Sequence, residues 1–360
     1  MSWFRRKKKP ETALPSTLSY RERVDHFWNW WTTESDRIYQ SVESNGGASI
    51  QPEVSEAVSN LSPDLGWVFG PGPDGEGHSF TISPGGIPSR CFLVDYWYSK
   101  VPQLEGWTFY PSRQASHDPG VFKVRMGKVE VTAASLWLTP QIDLENEAID
   151  IVAWSPLFAE IGENEAITFL FLLLDDALGE DIVSRCIGAI EIGDGKLTES
   201  IPVSELPEFV DDTFEKHHWS QDRTWGCTYN QDGQEGDFPR SDIFVGSTRD
   251  IDIIRSYNSQ RGPFEHPLSD SGVDLIFLQL PAAILPEENA VHFRGTIEDA
   301  LDERLDFYDS GHVFGGAMGS SACYIDLVLF DGSRGRKAIE EVMSARGFSG
   351  QYQIFPFTES

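Results

Sequence analysis

The apolar pattern over Tyr20 to Ser44 predicts a long helix, and its aromatic group, Phe27, Trp28, Trp30 and Trp31, is too wide for a purely surface element. That helix should dock deeply. Gly46-Gly47 ends it, and Pro52 to Leu61 predicts a second, short helix before Pro63. Gly66 to Phe69 and His78 to Ser83 predict two strands joined by a turn, followed by a helix over Ser89 to Val101 packed on them, with Cys91, Val94, Trp97, Tyr98 and Val101 at helical spacing. Further strands are expected at Trp107 to Pro111, Val121 to Met126, Val129 to Thr132, Ser135 to Leu138, Ile149 to Trp154 and Ala166 to Leu174.

Residues 208–240 are rich in charge, Gly and Asp with isolated aromatics, which predicts an irregular acidic linker or insertion. Beyond it the expected elements are a strand at Ala290 to Arg294, a helix at Ile297 to Ser310, strands at His312 to Gly316 and Cys323 to Phe330, a helix at Arg334 to Arg346 and a strand at Tyr352 to Phe357. This β-α-β-β-α-β order is the split-βαβ, ferredoxin-like pattern, over about 290–357. Thr296 is the expected cap of its first helix, with Asp299 at the third position and Gly311 at a left-handed exit. Ile297, Ala300, Leu301, Leu305 and Tyr308 would face the core. The fold class is thus α+β with two domains: a leader over 1–17, N-terminal helices packed on a mainly antiparallel sheet over 18–207, and the second domain over 241–360.

Phe27-Trp28-Asn29-Trp30-Trp31, the Trp67 strand, Phe80 to Ser83, Pro102 to Trp107 and Leu172 to Glu180 together resemble a family of uncharacterised bacterial proteins, a domain of unknown function, over roughly 20–195. Trp31 departs from that pattern, standing where Phe is expected. The resemblance implies a bacterial cytoplasmic protein and supplies no activity and no catalytic residues. Its motifs read as core and turn residues.

Charge changes the picture more than composition does. Removing the first ten residues, which carry Arg5 to Lys9 and no acid, takes the formal charge from −29 to −34. A body so anionic repels phosphate backbones and acidic lipid, which argues against nucleic-acid binding. With 40% hydrophobic residues, the chain can still build packed cores, and its acids belong on the surface. The longest apolar run, Ala166 to Leu174, is far short of the roughly twenty residues of a membrane span. Trp3 and Phe4 before the five cations suit at most a weak contact with an anionic membrane. No apolar segment of a secretory signal follows Lys9, and the four scattered cysteines fit reduced thiols in a cytoplasmic protein.

Candidate chemistry is sparse. Gly70, Gly72 and Gly75 have the spacing of a dinucleotide loop, but two prolines and a following strand predict a hairpin connection instead. His217-His218, Cys227 and His266 match no standard zinc spacing and read as surface residues, so neither a metal nor a cofactor is expected. Glu298, Asp302, Asp306 and Asp309 fall within about 80° on their helix, an acidic stripe that would steer a basic partner or merely stay solvated. Gly332, Ser333, Arg334, Arg336 and Lys337 place cations at a helix start, which would suit a small anion. His292, Arg294, Tyr324, Asp326 and Phe330 would lie on the open face of the ferredoxin-like sheet, unless that face is covered. These readings favour a non-catalytic factor of regulatory, inhibitor or immunity type that binds a protein, with an anion-sensing protein or a metal-dependent hydrolase as alternatives.

Overall fold

Ser19 opens the first helix with a reciprocal cap: its hydroxyl accepts the Glu22 amide, and the Glu22 carboxylate accepts the Ser19 amide at 2.9 Å. The computed structural model describes residues 17–359 apart from 127–128, 220–225, 234–235, 237, 267 and 287, so the basic run Arg5 to Lys9 lies outside the described residues. In chain order the elements are α1 (Tyr20–Asn45), α2 (Gln51–Leu61), β1 (Gly66–Pro71), β2 (His78–Ser83), α3 (Pro88–Ser99), β3 (Trp107–Tyr110), β4 (Lys123–Met126), β5 (Val129–Thr132), β6 (Trp137–Asp143) and β7 (Ala148–Trp154). There follow α4 (Glu163–Leu178), α5 (Glu180–Cys186), β8 (Ile187–Ile192), β9 (Ile201–Pro202), α6 (Leu206–His217), β10 (Cys227–Asn230), β11 (Ile243–Thr248) and α7 (Ile251–Gln260). The last are β12 (Asp274–Pro281), α8 (Ala290–Phe307), β13 (Gly311–Gly319), β14 (Ala322–Leu329), α9 (Gly332–Ala345) and β15 (Gln353–Pro356). The chain is a mixed α+β protein, and no helix among the described residues is long and apolar enough to cross a membrane.

Two compact units form, and both are discontinuous in sequence. One gathers Met1–Leu65, Ser89–Glu105 and Gly226–Ser360; the other gathers Gly66–Pro88 and Gly106–Trp225.

The first unit is built on a six-stranded sheet in the order β10-β11-β13-β14-β12-β15, with every neighbouring pair antiparallel. On one face Ile297, Leu301 and Leu305 of α8 and Ala338, Ile339 and Met343 of α9 pack on Ile276, Leu278, Ile325 and Leu327. The other face carries Phe277, Tyr324, Asp326 and Phe330, all buried. α1 supplies its aromatic group to this unit: Trp28 stacks on Trp97 of α3 at 4.9 Å, Phe27 meets Trp97 edge-on, and Tyr20 and Tyr96 both contact Phe330. The Tyr20 hydroxyl donates to the Leu93 carbonyl, and the Arg21 amide donates to the Phe330 carbonyl. α3 therefore groups with α1, and the chain passes between the two units after Pro88.

Three expectations for this unit fail. Ala290 to Arg294 is the first turn and more of α8, not a strand. The strand that precedes the two helices is β12, which pairs with both β14 and β15. Thr296 lies inside α8, where its hydroxyl donates back to the Phe293 carbonyl, while Arg346 of α9 donates to the Thr296 hydroxyl and carbonyl; the pattern break at Gly295-Thr296 is a helix contact and no cap. The left-handed residue after α8 is Asp309, at φ 51°, and Gly311 instead opens β13, where a Cβ would stand 2.4 Å from the Val328 carbonyl oxygen.

The second unit holds the three-stranded sheet β1-β2-β3, the hairpin β4-β5 and the four-stranded sheet β8-β7-β6-β9. β2 with β3 and β7 with β8 run parallel; the remaining pairs are antiparallel. Gly70 lies within β1, and Gly72 and Gly75 in its connection to antiparallel β2, as the hairpin reading has it. Ala166 to Leu174, however, is the body of α4 and not a strand. Its buried positions Ala166, Phe169, Leu170, Leu173, Leu174 and Ala177 follow helical spacing against Leu138, Ile149 and Ile151 of the sheet. Within 208–240, expected to be irregular, lie most of α6, whose Val210 and Phe214 enter this core, and β10 of the other unit.

Candidate functional site

β14 is buried along its whole length, yet Asp326 sits in the middle of its apolar run. The residue that neutralises it is Arg240, from a loop before β11. Both are fully buried and form a two-pronged ion pair, Nη1 to Oδ1 and Nη2 to Oδ2, the latter at 3.3 Å. The guanidinium also donates to the Tyr229 hydroxyl at 2.9 Å and lies about equally far from the rings of Phe277, Tyr324 and Phe357, 5.1 to 5.2 Å from each centroid. Burial pushes the Asp326 carboxyl above its ordinary value, and Arg240 and Arg294 act against that. Beside the pair, Asp242 accepts the Tyr324 hydroxyl, the Ser321 amide and hydroxyl and the Ala322 amide. The arrangement fastens the 238–242 loop and the β13–β14 turn to the sheet.

Three of the five residues expected on an open sheet face are therefore sealed: Tyr324, Asp326 and Phe330 are 1%, 0% and 2% exposed. Arg240 covers Tyr324 and Asp326, Tyr20 and Tyr96 cover Phe330, and Tyr257 and Phe357 pack on Phe277 of the same face. His292 and Arg294 lie on α8, because the segment expected as a strand is helical.

Glu298, Asp302 and Asp306 form a row on α8 while Asp309 lies beyond its end, and most of the four are engaged. The Arg294 guanidinium stands 2.9 Å from Glu298, whose carboxyl burial pushes up to about 7 despite that neighbour. Asp302 accepts the Val313 amide at 2.9 Å and faces His312 at 3.5 Å; burial acts to raise its carboxyl, but these bonds outweigh it and hold the group below its ordinary value. Asp309 pairs with Arg21 and Lys100. Asp306 is exposed.

The start of α9 gathers Gly332, Ser333, Arg334, Arg336 and Lys337 as expected, yet carboxylates already occupy the place of an anion. Asp331 caps the helix, accepting the Arg334 amide at 3.1 Å and the Ser333 hydroxyl at 3.0 Å. Arg334 also pairs with Asp331, Arg336 with Asp274, and Lys337 with Glu341. The cations that opposed the helix dipole in sequence are thus answered from within the fold.

His217 and His218 close α6, Cys227 lies in β10, and the His266 ring accepts the Leu268 amide through Nδ1. Burial and Arg90 push His266 down to about 4. Among the described residues no group of three His, Cys, Asp or Glu is placed to hold a metal ion. Burial also pushes the Cys186 and Cys323 thiols up to about 12 and about 11, so neither is a thiolate at neutral pH.

In the second unit, Glu180 fills the opposite role to Arg240. Its carboxylate, 2% exposed, accepts the Ser83 hydroxyl at 2.7 Å, the Gly85 and Gly86 amides at 2.8 and 3.1 Å, and the Arg113 amide at 3.2 Å. Gly85 and Gly86 both have φ near +70°, which turns their two N–H groups toward one acceptor. Nearby, burial and the Glu180 charge push the Asp175 carboxyl up to about 6 against Arg113. These are two of the three acids of the Leu172 to Glu180 motif, and Glu180 serves there as a clamp on the loop after β2.

One surface feature had no warning in the sequence. Phe307, at the end of α8, is 70% exposed, yet it is held: the Arg304 guanidinium lies 4.7 Å from its ring centroid, and Tyr308 meets it edge-on at 5.2 Å. Glu341 of α9 accepts both Arg304 Nε at 2.7 Å and the Tyr308 hydroxyl at 2.9 Å. Ala300, Arg304 and Phe307 line one wall of a groove, and Glu341, Val342 and Ala345 the other. Asp299, Glu303, Asp306 and Glu340 stand exposed along the same two helices.

Comparison of the chain with family models, curated proteins and solved structures finds no match.

Proposed function

We propose that the chain is a non-catalytic, protein-binding factor of regulatory, inhibitor or immunity type, cytoplasmic and bacterial, whose partner is a basic protein. The observation that carries this reading is where the acid excess resides. Against 28 Lys and Arg there are 57 Asp and Glu. Among the described residues only Glu180, Asp242, Asp250, Asp326 and Asp331 are buried. The excess is therefore a surface property, and a surface of one sign steers and holds partners of the other. The buried polar groups support the same reading, because Arg240, Asp326, Asp242 and Glu180 spend their bonding capacity on loops of this chain. The four free cysteines accord with a reducing compartment.

We further assign the segment β12-α8-β13-β14-α9-β15 to the ferredoxin-like class. Its support is the strand order β15-β12-β14-β13, antiparallel throughout with both helices on one face, to which β11 and β10 add at the β13 edge.

The test is affinity capture from native lysate at low and at high salt, followed by reconstitution with the purified partner. The reading expects a basic protein retained in stoichiometric amount at low salt and released as salt screens the surface charges. Retention of no basic protein at either salt, together with marked thermal stabilisation by a small metabolite, would replace it with the sensing alternative.

A further inference from the structure

The groove between α8 and α9 has the anatomy of a binding hot spot. An aromatic ring and an arginine line it together with apolar Ala300, Val342 and Ala345, and the charged side chains of Glu303 and Glu341 complete the lining. Among the described residues Phe307 is the most exposed of the large apolar side chains, and such exposure costs solvation unless something covers it. It is also rigid, because Glu341 fixes Arg304 and Tyr308, which hold the ring on two sides. A side chain fixed in advance loses little entropy when a partner seats on it.

We propose that this groove is the docking surface for a basic amphipathic helix of a partner protein, with an apolar side chain of that helix seated against Phe307. The proposal rests on the protein-binding reading above and locates its surface. Two contacts, Arg304 with Glu341 and Arg346 with Thr296, show α8 and α9 running antiparallel, and the trough between two such helices accepts a third. The charge of the occupant follows from the rim. Glu341 answers both Arg304 and Lys337, while Asp299, Glu303, Asp306 and Glu340 remain exposed and keep the rim acidic on balance, so the partner helix carries lysine or arginine beside its apolar face. A second copy of this chain would bring the same acids against themselves, and an anionic membrane would be repelled.

The probe is a synthetic helical peptide about five turns long, leucine on one face and lysine on the other, compared with an isomer of the same composition in scrambled order. Both are titrated at low salt against the full chain, with amide shifts followed by NMR. The amphipathic peptide is expected to bind at least about tenfold tighter than its isomer, with shifts centred on α8 and α9. Phe307→Ser should weaken it about tenfold, and so should Glu303→Lys combined with Asp306→Lys, at unchanged melting temperature. Equal binding of both peptides, indifferent to Phe307→Ser, would overturn the groove while leaving a basic partner in place. Binding of neither would also overturn the groove, and the lysate capture would then decide the wider reading independently. Sedimentation that shows a dimer in the wild type and a monomer in Phe307→Ser would assign the surface to a second copy instead.

Discussion

Arg240 and Asp326 form a two-pronged ion pair to which water has no access from either side. Breaking such a pair leaves one charge buried without its counter-charge, whereas replacing both members removes the problem. Arg240→Met and Asp326→Leu should each cost about 3–5 kcal/mol, and the double variant should cost clearly less than their sum. Urea unfolding of the four proteins checks this, and additive costs would show that the pair does not act as a unit.

Glu180 tests the same logic with hydrogen bonds. Glu180→Ala strands the Ser83 hydroxyl and the Gly85, Gly86 and Arg113 amides, so a loss of about 3 kcal/mol is expected. Amide exchange at Gly85 and Gly86 should quicken well before global unfolding. Unaltered exchange there would mean that the loop after β2 is held by something else.

Glu298 gives the chain a pH dependence of unusual sign. Its folded carboxyl titrates near 7, above the ordinary carboxylate value, so between those points the folded protein holds a proton that the unfolded chain has lost. Its contribution is therefore favourable below the ordinary value and is lost as pH rises toward 7. Asp175 and Asp250, both pushed up to about 6 by burial, act in the same direction, while His266, pushed down to about 4, opposes them. Glu298→Gln mimics the protonated form and isolates the effect. Relative to wild type it should gain on the order of 2–3 kcal/mol between pH 5 and pH 8, read from denaturant midpoints. A difference that does not change with pH would place the Glu298 titration outside that window.

Gly311 is required by proximity rather than by turn geometry. Gly311→Ala would drive a methyl group into the Val328 carbonyl and the Leu329 side chain, with a cost of about 1–3 kcal/mol in thermal or urea unfolding. Gly347→Ala supplies the contrast. It has φ +80° and nothing within 4 Å, so its cost is backbone strain alone.

Where local chemistry and periodicity agreed, the chain could be read directly. Gly46 ends α1, alternation marks β2, and the Ile297, Leu301 and Leu305 stripe is the buried face of α8. Misreadings arose where composition hid the period. Ala166 to Leu174 is apolar on nearly every side, so its helical stripe shows only once the sheet it covers is known. Val291 to Arg294 alternates like a strand because a helix turn exposes Val291 and His292 while burying Arg294. Asp326, expected on an open sheet face, lies instead between Ile325 and Leu327 in a fully buried strand, where an acid must have a cationic partner. Arg240 could not be identified as that partner, since the two are 86 residues apart and joined only by tertiary structure. Phe307 carried no signal at all, because exposure of one aromatic depends on what the neighbouring helix leaves uncovered.

The three-part origin of the first unit has a bearing on synthesis. α1 leaves the ribosome well before Phe330, which its Tyr20 touches and which emerges some three hundred residues later. Until then Phe27, Trp28 and Trp31 can pack on α3 but not against a finished sheet. A nascent chain halted before β14 would therefore present an adhesive aromatic helix, made safe only by residues translated long after it.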